Sequence, residues 1–212
     1  MSGALTPERL LQAYAAGIFP MAEDASDPDV FWVDPRRRGV LPLAGFHISR
    51  SLRRSILSGR WRWTANKDFE GVIDGCAARE TTWINRSIRS LTMALHDAGI
   101  AHSQEVWQDG QLAGGVYGVA LGTAFFGESM FSARRDASKV ALAVLTRRLF
   151  DAGFTLFDTQ FVTPHLQTLG ATEISRADYR ARLAHAMSAG ALPLEDVMPT
   201  AQDVVQRRTQ TS

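Results

Sequence analysis

Glu128 stands in the run Phe126-Gly127-Glu128-Ser129-Met130-Phe131, where a carboxylate is a poor strand former in apolar company. Pointing inward, it needs a cation, a hydrogen-bond partner or a ligand, because an unpaired buried charge is costly. Pointing outward, it is a solvent-facing edge position. Gly127 favours the inward reading, since glycine in a strand lets another backbone or a ligand come close. Asp158 and Gln160 follow the apolar run Phe154-Thr155-Leu156-Phe157, and their i, i+2 spacing puts both on one face if the strand continues. An acceptor beside an amide suits the handling of an amine; capping of the next turn is the other reading. His165, after Pro164, reads as a cap or surface residue before a general base.

Around these residues the types are suited to binding. Glycines at 114, 115, 118 and 122 admit either a closely approaching ligand or bulges. Phe125, Phe126, Met130 and Phe131 are candidates for an apolar side-chain pocket, though strand alternation sends about half of them to the opposite face. Arg36, Arg37, Arg38, Arg50, Arg53, Arg54, Arg60 and Arg62 make a basic stretch interleaved with Trp61 and Trp63. Such a mixture fits phosphates and stacked bases; a solvated, salt-bridged surface is the alternative. Lys67 and Lys139 are the only lysines, and the net charge is +1.

Other chemistries lack their residues. Cys76 is the single cysteine, and no Cys/His cluster has metal-ligand spacing. No phosphate-binding loop or Gly-x-Ser-x-Gly elbow occurs. The first residues lack the basic start and apolar run of a signal peptide, and no apolar stretch is long enough to span a membrane. A cytoplasmic protein is expected.

With a hydrophobic fraction of 45% over 212 residues, the chain can bury a core of one ordinary domain with a small accessory unit. Thr6 and Pro7 start a first helix that Gly17 stops. Residues 1–35 read as a small N-terminal unit, 36–198 as the main domain, and 199–212 as a polar, frayed tail. In the main domain a strand is expected over 39–43, a helix between Ser49 and Gly59, a strand over 61–65, and helices near 68–78 and 85–98. Strands over 103–108 and 111–121 join at Asp109-Gly110, a two-residue hairpin signal. A strand over 123–131, a helix from about 136, a strand over 154–157, and helices over 163–169 and 176–187 follow. This is an α+β order, and three antiparallel strands followed by helix, strand and helix match the GNAT acyltransferase fold by analogy. The segment that would hold an acyl-CoA pyrophosphate there, Ser132 to Lys139, contains no glycine. The acyl group must arrive activated by another carrier.

The sequence resembles the leucyl/phenylalanyl-tRNA–protein transferases. The resemblance is carried by Gly17-Ile18-Phe19-Pro20, Phe46 to Leu52, Thr82-Trp83-Ile84, Ala101 to Trp107, Gly114 to Val119, Gly127 to Ser132, Ala137-Ser138-Lys139, Asp158-Thr159-Gln160, His165-Leu166 and Leu169-Gly170-Ala171. Met21 departs from it, standing where some members carry a tryptophan linked to the adenosine end of the donor.

The resemblance implies an aminoacyl-tRNA donor carrying leucine, phenylalanine or, less well, methionine. It implies an acceptor protein beginning with arginine or lysine, and a product marked for degradation. No cofactor and no metal are implied, because the aminoacyl ester is already activated. Asp158 with Gln160 is expected to orient or deprotonate the acceptor amine, and Glu128 to hold its cationic side chain. Met130, Trp83, Ser132, Phe125 and Val116 are the expected substrate contacts. Arg50, Arg53, Arg54, Arg60 and Arg62 are expected on the tRNA. Two alternatives stand beside this: a GNAT-fold transferase with a different aminoacyl-tRNA donor, and a tRNA-binding module without catalysis.

Overall fold

Side-chain caps fix where most helices begin. Thr6, Ser49, Asp68, Asn85, Thr163, Ser175 and Thr200 each accept a hydrogen bond from a backbone N–H of the turn they precede, satisfying a donor that the helix itself leaves open. In a computed structural model describing residues 5–27, 29–79, 82–189, 193–194 and 198–206, the N-terminal part comprises α1 (Pro7–Ala15) and a hairpin of β1 (Phe19–Met21) and β2 (Phe31–Val33). Next come β3 (Arg37–Val40), α2 (Arg50–Ile56), β4 (Arg62–Ala65), α3 (Phe69–Ala77) and α4 (Arg86–Asp97). The centre holds β5 (Ala101–Gln108), β6 (Gln111–Leu121), β7 (Ala124–Ser132), α5 (Ala137–Asp151) and β8 (Leu156–Gln160). The chain continues through α6 (Pro164–Gln167), β9 (Thr172–Ser175), α7 (Arg176–Ser188) and α8 (Ala201–Val205).

The main sheet has the order β4-β5-β6-β7-β8-β3-β9. Every neighbouring pair is antiparallel except β7 and β8. Alternation along the strands supplies two cores. Val116, Phe125 and Phe157 face α2, α5 and α8; Tyr117, Phe126 and Leu156 face α1, α3, α4 and α7. The fold is therefore α+β, a mixed, largely antiparallel sheet covered by helices on both faces, with a small N-terminal unit.

Several expected elements are placed differently. Asp109 and Gly110 both take positive φ, as the two-residue hairpin requires. The strand expected over 39–43 lies at Arg37–Val40, and that expected over 154–157 runs on to Gln160. β1, β2 and β9 were not expected; each is short and gains its strand character from one neighbour. The expected frayed tail contains α8, anchored by the fully buried Val204; residues 207–212 lie outside those described. No described helix is long and apolar enough to cross a membrane.

Candidate functional site

Register places Glu128 where it is. Tyr117 pairs with Ser129 and Gly118 with Gly127, so Glu128 is the extra residue of a bulge in β7. A bulge re-aims a side chain out of the regular alternation. Gly118 permits it: a Cβ there would lie 2.2 Å from the Phe126 carbonyl oxygen. The glycine cluster thus serves packing, since Gly114 and Gly115 make room for Ala137 and Val72 respectively.

β7 and β8 are paired only as far as Phe126 and Asp158. Beyond that point the strands part, and a cavity of about 240 Å³ opens between them. β7 lines it with Gly127, Glu128, Ser129 and Met130, and β8 with Phe157, Thr159 and Gln160. Val116, Leu142 and Leu166 extend an apolar wall, while Phe19, Pro20, Met21, Trp83, Arg79 and Phe161 complete the lining. Among the described residues the exposed large apolar side chains are Phe31, Trp32 and Phe161. Phe161 lines the cavity, and Phe31 and Trp32 stand across the hairpin from Met21 and Pro20, which line it too.

The two carboxylates have different surroundings. Asp158 is 0% exposed. Its Oδ1 accepts from Arg38 Nε at 2.9 Å and from the Gln160 backbone N–H at 2.8 Å. Its Oδ2 accepts from Arg38 Nη2 at 2.6 Å and from the Tyr179 hydroxyl at 2.8 Å. Arg38 also donates to the Gly17 carbonyl at 3.0 Å and lies between the rings of Phe19 and Tyr179, 4.5 Å from each centroid. Burial alone would lower the Arg38 pKa, but the hydrogen bonds and charge of Asp158 raise it. Burial and the charge of Asp158 push the Tyr179 hydroxyl far above its usual range.

Glu128 is half-buried and faces the cavity. Its Oε1 accepts from the Tyr14 hydroxyl at 2.9 Å and from Gln160 Nε2 at 3.5 Å. Burial pushes its carboxyl up to about 8, with the charge of Asp158 adding to the rise and Tyr14 and Arg38 opposing it. Gln160 ends β8 with φ of +55°, a strained setting for a side chain of this type. The Asp158 carboxylate secures that turn by accepting the Gln160 N–H, as aspartate does two residues ahead in tight turns, and the Gln160 amide is thereby aimed at Glu128.

The cavity therefore brings together Glu128, Gln160, Met130, Val116 and Trp83 from the sequence reading. Phe125 is not at its surface: it is 0% exposed and meets Phe157 edge-on at 5.3 Å. Ser132 accepts the Ser138 N–H and donates to the Arg134 carbonyl, tying β7 to the start of α5. Arg50, Arg53, Arg54 and Arg62 are exposed. Arg60 lies over Trp61 at 4.6 Å and approaches Asp136 at 3.7 Å. Trp61 is not free for a base, and Trp63 is half-buried and tied down through its ring N–H. Trp61 is 6% exposed and donates to Ser55 Oγ, while Trp63 donates to the Pro199 carbonyl. Arg38, read with its neighbours as a surface cation, is 1% exposed. Tyr14 and Tyr179 were missed as site residues; a buried carboxylate's need for donors was the available signal.

A family model described as leucyl/phenylalanyl-tRNA protein transferase matches residues 40–184, and one for the N-terminal domain of that family matches residues 3–36. A leucyl/phenylalanyl-tRNA–protein transferase of Ruegeria pomeroyi is 60% identical over 209 residues, covering 99% of this chain and 100% of its own. One from Roseobacter denitrificans is 60% identical over 98% of this chain and 99% of its own. One from Dinoroseobacter shibae is 62% identical over 88% and 84% respectively. Among solved structures, a C-terminal domain described as that of a lysylphosphatidylglycerol synthetase from Agrobacterium fabrum aligns with 91% of this chain and 73% of its own, at 13% identity and a TM-score of 0.48, too distant to carry an argument. The relatives and both family models agree: the chain belongs to the leucyl/phenylalanyl-tRNA–protein transferase family.

Proposed function

We propose that the protein transfers leucine or phenylalanine, and methionine less well, from aminoacyl-tRNA to the α-amino group of proteins that begin with arginine or lysine. The product would carry a new N-terminal residue that marks it for degradation, in the cytoplasm where charged tRNA is found. The observation that carries this reading is the cavity at the parting of β7 and β8, with an apolar wall and a carboxylate–amide pair facing one space. Strands that separate in this way support a GNAT-like description of the main domain.

Space and chemistry agree with the reaction. A cavity of about 150 Å³ takes a benzene ring, so 240 Å³ accommodates a leucyl or phenylalanyl side chain. Met130, Val116, Leu142 and Phe157 would receive it. Methionine's flexible thioether adapts to either shape, and one methylene more or less discriminates by only about 1–3 kcal/mol. Trp83 would stack on the terminal base of the donor, beside Met21. Glu128 would receive the cationic first residue of the acceptor. Asp158, with every oxygen engaged, would act by holding Gln160, whose amide orients the amine. Since the ester is activated, holding amine and carbonyl together supplies most of the acceleration. The exposed arginines of α2, with Arg60 and Arg62, would bind tRNA phosphates.

The test is transfer of labelled leucine from charged tRNA to peptides differing only in their first residue. Arg- and Lys-starting peptides are expected to be labelled, and Asp- and Ala-starting ones not. Equal labelling of all four would refute the acceptor specificity, and labelling of none would refute the transfer.

A further inference from the structure

The acceptor's amine enters as an ammonium ion, and an ammonium has no lone pair with which to attack an ester. One proton must leave before the new bond forms. Asp158 is badly placed to take it. Four donors already occupy its two oxygens, two of them from the guanidinium of Arg38, and it does not line the cavity. Gln160 does line the cavity, but a carboxamide oxygen accepts a hydrogen bond without holding a proton near neutral pH. Glu128 combines the missing properties. It faces the cavity, its Oε1 is steadied by Tyr14 and Gln160, and among the described residues no protein donor meets its Oε2.

We propose that Glu128 is the proton acceptor of the transfer reaction, taking a proton from the acceptor's α-ammonium onto Oε2. Tyr14 and Gln160 serve as its positioning residues. This rests on the transfer reaction proposed above and changes the part Glu128 plays in it, from holding the acceptor's side chain to activating its amine. The step balances without a co-reactant. The ammonium gives one proton to the carboxylate; the freed electron pair attacks the ester carbonyl, forming the C–N bond. The C–O bond to the terminal ribose breaks, the amine's second proton ends on that ribose oxygen, and Glu128 later returns its own proton to water.

The surroundings suit the exchange. The charged and titratable groups around Glu128 are Tyr14 from α1, Tyr117 from β6, Asp158 from β8 and Arg38 from β3, with Arg79, which donates to the Met130 carbonyl, elsewhere on the cavity lining. Arg38 is committed to Asp158 and Arg79 to the Met130 carbonyl, and neither is hydrogen-bonded to Glu128. Its carboxyl at about 8 lies beside an α-ammonium at roughly 7.7–8, and proton transfer is most effective between groups of matched affinity near the working pH.

Two acceptor peptides separate this role from simple cation holding. Both carry the same arginine side chain at the first position, one with the ordinary α-amine and one with an aminooxy group, which is already uncharged at neutral pH. Wild type is expected to acylate both. Glu128→Gln is expected to lose roughly 10²-fold or more in kcat/KM with the amine, and to be rescued to within about 3-fold of wild type with the aminooxy peptide. Equal losses with both peptides would overturn the proposal and leave Glu128 as a cation holder. No loss with the amine would overturn it as well. Tyr14→Phe removes the donor that keeps the carboxyl from rising further. It is expected to move the rising limb of the kcat/KM profile to higher pH with the amine alone; an unmoved limb counts against the proposal. If wild type acylates neither peptide, the transfer reading fails first, a result distinct from either pattern.

Discussion

Glu128→Gln should stabilise the protein in a pH-dependent way while it impairs transfer. In the folded state the carboxyl titrates at about 8, against 4.5 for the free group, so the folded chain binds the proton more tightly than the unfolded one. Below the unfolded value both states are protonated and the difference vanishes. As pH rises from about 4.5 to 8, the unfolded state ionises at no cost, the folded state resists, and stability falls. At roughly 1.4 kcal/mol per unit, a rise of this size sets a ceiling near 5 kcal/mol. Glu128 is half-buried and opens on a cavity that water reaches, so screening reduces the effect to about 2–3 kcal/mol. Glutamine keeps the shape and carries no titrating proton. Urea unfolding of both proteins from pH 5 to 8.5 should therefore give nearly equal stabilities at the acid end. The variant should become about 2 kcal/mol more stable at the alkaline end, worth roughly 4–8 °C in Tm for a chain of this size. Contributions from other groups cancel in the difference. A difference that stays flat with pH, or a variant less stable at pH 8, would show that Glu128 is not held against ionisation and that the reasoning about its environment is wrong.

Three further outcomes follow from the packing. Arg38→Met strands Asp158 as a buried carboxylate without its cation, and unfolding midpoints should report a loss of about 3–5 kcal/mol; a loss under 1 kcal/mol would mean that the Tyr179 hydroxyl and the Gln160 N–H suffice to hold Asp158 without a cation. Gly39→Ala places a Cβ 2.6 Å from the Phe161 backbone and 2.9 Å from Thr159 Oγ1, so the turn carrying Gln160 must shift. Stability should fall by about 1–3 kcal/mol, with transfer impaired beyond what unfolding explains, as single-turnover rates on the folded fraction would reveal. Replacing Arg50, Arg53 and Arg54 together by alanine should flatten the salt dependence of tRNA binding, by a little under 1 in the log–log slope for each phosphate no longer neutralised. An unchanged slope would place the tRNA elsewhere.

What could be read from the sequence, and what could not, divides by the range of the interaction. Thr6, Ser49 and Asn85 were legible as caps because each bonds a backbone N–H three residues on. Asp109-Gly110 was legible because the turn conformation is set by two residues. Glu128 and Asp158 stood out for a related reason, since a carboxylate in an apolar strand is anomalous without knowledge of any neighbour. Their partners are ordinary until matched. Tyr14 looks like one more apolar position on α1, yet its hydroxyl reaches a residue 114 positions away. Arg38 looks like its neighbours Arg36 and Arg37, and only the pairing of β3 with β8 turns it inward to a partner 120 positions on. Gly17, a helix stop in the sequence, supplies a carbonyl to that same arginine. The bulge that aims Glu128 depends on which residue of β6 it faces, which no local pattern encodes. Two anomalous carboxylates so placed demand donors from the rest of the chain, and here Tyr14 and Arg38, both near the N-terminus, meet much of that demand. A substitution at Tyr14 or Arg38 should therefore be felt at the cavity as directly as one on β7 or β8, although neither residue announces itself in the sequence.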